Sequence, residues 1–295
     1  MRDDWDQPHG PASDTRDAAP IEKRPILIVL HQKHSVPGHI GRTLQLQGHP
    51  LDIRRPRFGD PLPKTMADYD GSVIFGGPMS ANDPDDYVKA ETDWIGVSLR
   101  EQAPFLGVCL GGQMLARHLG AAVSLHDQGH VEIGYHDIIP LKSAADEGAW
   151  PNRFYQWHKE GFELPAGAEL LATSPRDDFP NQAFRYGETA VAIQFHPEIS
   201  YAMASRWSGY NPEKLRQVGA RPVRSNCGTT SQMDPLSARG SIVFSVRGLR
   251  PGGGPAPCRA RSGAWRPERR TDVSIYLAVL FLVTRLENRN AFRLA

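Results

Sequence analysis

The stretch from Pro104 to Gly120 constrains the fold of this chain more than any other. Pro104-Phe-Leu-Gly-Val108 is a short, unbroken apolar run, as expected of a strand covered on both faces. It passes without a linker into Leu110–Leu119, which reads as a helix closed by Gly120. Cys109 stands between them, in Gly107-Val-Cys-Leu-Gly-Gly-Gln113. A strand that turns into a helix over one residue requires small neighbours, because side chains at Gly107 and Gly111 would clash in so sharp a turn. Such an elbow commits the chain to packing helices against a sheet.

The surrounding sequence repeats this grammar. Strands are predicted at Pro25–Leu30, Gly71–Phe75, Ala121–Leu125, Glu132–Ile139, Phe154–Trp157 and Val191–Phe195. Helices are predicted from Pro37 to Gln47, with Gly48 as a stop, and from Asp85-Asp86 to about Arg100, where the acids suit the positive end of the helix. Strands alternating with helices predict an α/β fold: a doubly wound, mostly parallel, flavodoxin-like sheet with helices on both faces.

The alternation occupies only part of the chain. Residues 1–24 are polar and rich in Asp, Pro and Ala, and are expected to form a disordered arm. Residues 25–220 carry the predicted domain, and residues 221–295 form an atypical basic tail expected to be poorly ordered. From Arg221 to Ala295 there are thirteen arginines, four acids and no lysine, a net of +9, which leaves residues 1–220 at −8. The overall near-neutrality is thus a sum of two dissimilar pieces, and no nucleic-acid partner is read from it. Pro251-Gly-Gly-Gly-Pro-Ala-Pro-Cys258 cannot be a regular element. The tail reads as a basic binding arm, an appended segment, or the product of an altered reading frame.

Three cysteines, at 109, 227 and 258, are too few and too scattered for a disulfide framework or a zinc ribbon. The N-terminus has no apolar signal core, and Ile275–Val283 is about half of the ~20 residues a membrane helix needs. A soluble, cytoplasmic protein with no membrane partner is expected.

Three motifs carry chemistry. Cys109 sits at a helix N-terminus, where the macrodipole favours the thiolate that attacks. Gln194-Phe-His-Pro-Glu198 follows a predicted strand and supplies His196 as a proton carrier and Glu198 to orient it. Phe75-Gly-Gly-Pro-Met-Ser80 ends another strand, and its glycines let a backbone amide face a bound carbonyl. The Gly77 and Leu110 N–H groups are the candidate oxyanion hole. Taken singly, each motif has a plainer reading: a buried packing cysteine, a surface histidine beside a solvated glutamate, and an ordinary turn.

Together and in this order, FGGPMS, PFLGVCLGGQMLA and QFHPE resemble the class I (triad-type) glutamine amidotransferases over roughly Ile26 to Trp207. Glu132-Ile-Gly-Tyr135 and Gln156-Trp-His-Lys-Glu-Gly-Phe-Glu-Leu-Pro165 are similar to stand-alone proteins resembling the amidotransferase domain of GMP synthetase. The resemblance implies that Cys109 is the nucleophile, His196 the base, Glu198 its orienting partner and Gln113 a contact to bound glutamine. It also places His158 near the triad, where a substrate-rim role and a half-buried structural role are both open. The implied activity is hydrolysis of the glutamine side-chain amide through a thioester, with no cofactor or metal, and with a separate synthetase as a possible ammonia acceptor. A γ-glutamyl peptidase using the same triad is the alternative enzyme, and a non-catalytic interaction or regulatory protein is the alternative of another class.

Other residues have plainer readings. His31, His34 and His39 share a loop but lack a further ligand at helical spacing, so they are expected to be solvated rather than to bind zinc. Trp94 and Trp150 are expected to pack. No phosphate-binding P-loop is present.

If the tail has no facing partner, limited trypsinolysis should cut first between Arg221 and Arg270 and leave a core retaining Cys109 and His196. A trypsin-resistant tail would contradict the proposed boundary.

Overall fold

The computed structural model describes residues 23–141 and 150–221. The expected N-terminal arm (apart from Lys23 and Arg24), Cys227, Cys258, the Ile275–Val283 run and all of the tail beyond Arg221 lie outside the described residues.

The elements in chain order begin with β1 (Ile26–Val29), α1 (Gly38–Leu46), β2 (Leu51–Arg54), β3 (Gly71–Ile74), α2 (Asp86–Arg100), β4 (Phe105–Val108) and α3 (Leu110–His118). They continue with β5 (Val123–Leu125), β6 (Glu132–Asp137), β7 (Ile139–Pro140), β8 (Arg153–His158), β9 (Glu160–Phe162), β10 (Ala168–Thr173), β11 (Asn181–Tyr186), β12 (Ala190–Ile193) and α4 (Tyr201–Tyr210). Eight strands form one sheet in the order β2-β1-β3-β4-β12-β11-β10-β7. The first five are mutually parallel, and the remaining pairs are antiparallel. The parallel half therefore has the 2-1-3-4-5 order of a flavodoxin-like sheet. Two small antiparallel pairs, β5 with β9 and β6 with β8, lie outside it.

The unbroken apolar runs are explained by two cores, one on each face. Ile26 and Ile28 of β1, Leu106 and Val108 of β4, and Val191 and Ile193 of β12 join Ile40 and Leu44 of α1 on one side. Leu27 and Val29, Phe105, and Ala190 and Ala192 join Val88 and Ile95 of α2 and Met114 of α3 on the other. Strand residues alternate between faces, so a strand buried between two layers is apolar on both faces, apart from polar groups with a buried partner such as Ser72, 3.2 Å from Ser98. Trp94 packs in the second core and donates from Nε1 to the Pro63 carbonyl, at 2.7 Å. Trp150 packs against the first, edge-on to Phe195.

Two sequence expectations need correction. The expected strand Glu132–Ile139 is divided between β6, paired with β8, and β7, at the far edge of the main sheet. The strand expected to reach Phe195 ends at Ile193, so the Gln194–Glu198 segment is irregular.

The elbow glycines are required by backbone contact. A Cβ on Gly111 would lie 2.1 Å from the Ile74 carbonyl oxygen, and one on Gly107 would lie 2.5 Å from the Gly111 oxygen. Helix α3 is seated this closely on β3 and β4, and no side chain could move aside to make room. Gly111→Ala should therefore lower stability by about 3 kcal/mol or more, as overpacking against backbone does. Gly120→Ala, at φ +85° with nothing within 4 Å, should cost only about 1–2 kcal/mol of backbone strain. Urea midpoints of the two variants test the difference, and equal losses would contradict it.

Candidate active site

The carboxyl ends of four neighbouring parallel strands meet at one sheet edge: β1 ends before His31, β3 before Gly76 and Gly77, β4 before Cys109, and β12 before Gln194 and His196. Crevices beyond such strand ends are where open α/β sheets bind ligands.

Cys109 forms the turn itself. Its backbone is at φ +50°, ψ −106°, strained for a non-glycine residue, and is held by a 2.8 Å bond from its N–H to the Ile193 carbonyl. It caps α3, with Leu110 as the first helical residue. The Leu110 N–H consequently has no carbonyl of its own helix behind it. The side chain is 5% exposed, and the Gln194 amide nitrogen lies 3.8 Å from the sulfur.

His196 and Glu198 are each 3% exposed. His196 Nδ1 lies 2.8 Å from Glu198 Oε1, so the irregular backbone still brings the two side chains together. The main chain around them is braced from two sides: His196 N–H donates to Tyr155 of β8, and His39 N–H, in the first turn of α1, donates to Glu198. Trp207 of α4 stands edge-on to the imidazole, with centroids 5.0 Å apart.

Cys109 and His196 both face Gly76: a Cβ there would lie 2.9 Å from His196 Cε1, 3.4 Å from Cys109 Cβ and 3.8 Å from Cys109 Sγ. The imidazole Nε2 is buried without a conventional hydrogen bond. Burial alone would lower the His196 pKa, but the charges of Glu198 and Cys109 outweigh it and raise it to about 10. An arrangement of this kind can transfer a thiol proton to an imidazole and hold it there.

Gly77 lies between Leu110 and His31, where a Cβ would come within 2.9 Å of Leu110 Cδ2 and 3.0 Å of His31 Cβ. The two candidate oxyanion donors thus belong to adjoining residues.

Gln113 and His158 are both hydrogen-bonded to the main chain of β9. Gln113 is buried, and its amide nitrogen donates to the Glu160 carbonyl (2.9 Å) and to Gln194 Oε1 (3.3 Å). These bonds brace Gln194, whose own amide nitrogen lies 3.8 Å from the Cys109 sulfur. His158 is likewise buried, with Nδ1 at 3.0 Å from the Glu160 carbonyl and Nε2 at 3.0 Å from Glu132 Oε2. Both ring nitrogens are thus engaged within the protein. Burial pushes the Glu132 carboxyl up, but His158 and Gln182 beside it hold it below the ordinary carboxylate range.

His31, expected to be solvated, is instead fully buried, 2.7 Å from an equally buried Glu91. Two signals could have revealed the pair. His31 directly follows the β1 apolar run, and Glu91 falls on the core face of α2 between Val88 and Ile95. His34 is exposed and His39 half-buried, and among the described residues the three form no cluster of potential metal-ligand atoms.

Among the described residues, His126, His130 and Asp178 bring three potential metal-ligand atoms within 4.8 Å of one another. Their bonding opposes that use. Arg176 Nη2 already lies 2.9 Å from Asp178 Oδ2. The Gln128 N–H donates to His126 Nδ1, which leaves the proton of the neutral ring on Nε2, the atom turned to Asp178 at 3.6 Å. A metal at Nε2 needs the opposite tautomer.

A family model described as glutamine amidotransferase class-I matches residues 33–205. The glutamine amidotransferase-like protein YfeJ of Salmonella typhimurium is 26% identical over 209 residues, covering 67% of this chain and 85% of that protein. A GMP synthase [glutamine-hydrolyzing] of Campylobacter jejuni is 33% identical over 138 residues, covering 45% of this chain but only 25% of the synthase. Crystal structures of glutamine amidotransferases from Thermotoga maritima and Methylobacillus flagellatus are each 30% identical, with TM-scores of 0.60 and 0.62. They cover 65% and 68% of this chain, and 84% and 81% of their own. Among the described residues no helix is long and apolar enough to cross a membrane. With the family match extending over more than half of its length and its fold similar to those of solved glutamine amidotransferases, the chain belongs to the class I glutamine amidotransferase family.

Proposed function

We propose that this protein hydrolyses the side-chain amide of glutamine through a Cys109–His196–Glu198 triad, and that the ammonia passes to a separate synthetase. The observation that carries the reading is a strained cysteine at a helix N-terminus, beside a buried histidine bonded to a buried carboxylate.

The steps follow from these groups. The thiol proton resides on His196, and the Cys109 sulfur attacks the carboxamide carbon. Negative charge moves to the carbonyl oxygen, which accepts from the Gly77 and Leu110 N–H groups. His196 gives its proton to the departing nitrogen, ammonia leaves, and a γ-glutamyl thioester remains on Cys109. His196, now neutral, takes a proton from water as its oxygen attacks the thioester carbon; the C–S bond breaks, glutamate leaves, and Cys109 returns as thiolate beside protonated His196. Glu198 keeps the ring oriented and stabilises its charged form. Gln113 acts through Gln194.

The acceptor protein is inferred from the relatives: in the GMP synthases, the matching segment is about a quarter of a longer chain. A reactive free thiol also suits the reducing cytoplasm.

Cys109→Ala and His196→Ala should abolish ammonia release from glutamine, while Glu198→Gln should lose less because the base survives. Near-normal turnover in Cys109→Ala would overturn the triad. Faster turnover of γ-glutamyl dipeptides than of glutamine would favour the peptidase alternative.

The histidine also predicts a pH effect on stability. Its folded pKa is raised from 6.5 to about 10, so its contribution is fully present below about pH 6.5 and is lost as pH rises through about 10. The melting-temperature difference between wild type and His196→Gln should shrink over that window. A constant or growing difference would contradict the ion pair.

A further inference from the structure

His31 and Glu91 lie behind the site and take no part in the steps above. Both side chains are 0% exposed, with His31 Nε2 2.7 Å from Glu91 Oε2. The other ring nitrogen, Nδ1, lies 3.1 Å from the Gly76 carbonyl oxygen. A carbonyl can only accept, so Nδ1 donates to it. Apolar residues of similar volume are often at least as stabilising as a buried histidine–carboxyl pair. Stability therefore does not account for the pair, and what its free end holds becomes the question.

That end holds the peptide between Gly76 and Gly77. The peptide is trans, so its C=O and N–H point in opposite directions. With the Gly76 carbonyl bonded on the His31 side, the Gly77 N–H is turned away from His31. Two consecutive glycines offer little steric resistance to rotation of the plane between them. Rotation would replace the N–H with a carbonyl oxygen, which repels the charge developing on a substrate oxygen. Gly76 adjoins Cys109 and His196 on one side, and Gly77 adjoins His31 and Leu110 on the other, so this peptide links the buried pair to the site.

We propose that the His31–Glu91 pair locks the oxyanion hole: Glu91 orients His31, and His31 Nδ1–H holds the Gly76 carbonyl so that the Gly77 N–H stays presented to substrate. Both are positioning residues, and the proposal rests on the Cys109 reading given above.

The test replaces the pair together, as His31→Leu/Glu91→Leu, to avoid leaving a lone buried charge. Turnover of glutamine should fall about 10–100-fold in kcat, somewhat less than or equal to complete loss of one oxyanion donor. KM should stay within about twofold, and alkylation of Cys109 by iodoacetamide, which forms no oxyanion, should keep its wild-type rate. His31→Asn/Glu91→Leu restores a donor near the Nδ1 position and should recover most of kcat. Unchanged kcat in the Leu/Leu protein overturns the lock. So does a parallel loss of kcat, alkylation and melting temperature without rescue by Asn, which is what a merely structural pair gives. The lock is also read without substrate: the Gly77 amide resonance should shift or split in the Leu/Leu protein and return in the Asn/Leu protein. A wild type that does not hydrolyse glutamine overturns the proposed function, whereas an unmoved Gly77 resonance overturns the lock itself.

Discussion

The contact of backbone on backbone at the β4–α3 elbow sets the geometry of everything around it. Gly111 meets the Ile74 carbonyl and Gly107 meets Gly111 at distances that leave no room for a single carbon. Helix α3 can therefore start directly after β4, and Cys109 must take the left-handed, strained conformation between them. The same seating puts the Leu110 N–H at the head of the helix and draws β3, with Gly76 and Gly77 at its end, alongside the sulfur. The strain at Cys109 is tolerated because α3 is packed into the second core through Leu110, Met114 and Leu115. Packing energy spread over the helix maintains a local backbone cost of about 1–3 kcal/mol at one residue.

Among the described residues, three buried histidines lie within 3.0 Å of a buried carboxylate: His196 by Glu198, His31 by Glu91 and His158 by Glu132. Isolated charges this deep would be prohibitive, and each is compensated by a partner within 3.0 Å. The pairs differ in what lies on the far side of the imidazole. His196 faces the Cys109 sulfur, His31 the Gly76 carbonyl, and His158 the Glu160 carbonyl, to which Gln113 also donates. Low local dielectric strengthens each interaction and raises the penalty for breaking it. That combination suits a site whose groups must be held in place before substrate arrives.

Much of this was legible in the residues. The unbroken apolar runs announced β1, β3, β4 and β12 because each is buried on both faces, and the glycines around Cys109 announced the elbow because only close backbone approach requires them there. β10 and β11 escaped because Ala168–Thr173 and Asn181–Tyr186 mix polar and apolar residues, and their strand character comes from pairing with each other. The pairing of β6 with β8, and the separation of β7 from β6, depend on contacts distant in sequence that periodicity does not encode. His31 was misread for a related reason: a histidine after a strand looks like a loop residue until its partner, 60 positions away, is placed beside it. The bracing role of Gln113 was likewise hidden, since its acceptors belong to β9 and the segment after β12.

The central claim is that Cys109 carries the glutamyl group between the two half-reactions. Acid-quenched wild-type protein, sampled during turnover of glutamine and analysed by intact mass and peptide mapping, tests it directly. The account predicts an adduct of one γ-glutamyl group, located on the peptide containing Cys109 and removed by hydroxylamine, as a thioester is. Sustained ammonia release with no adduct under conditions that preserve thioesters, or an adduct on any other residue, would contradict it.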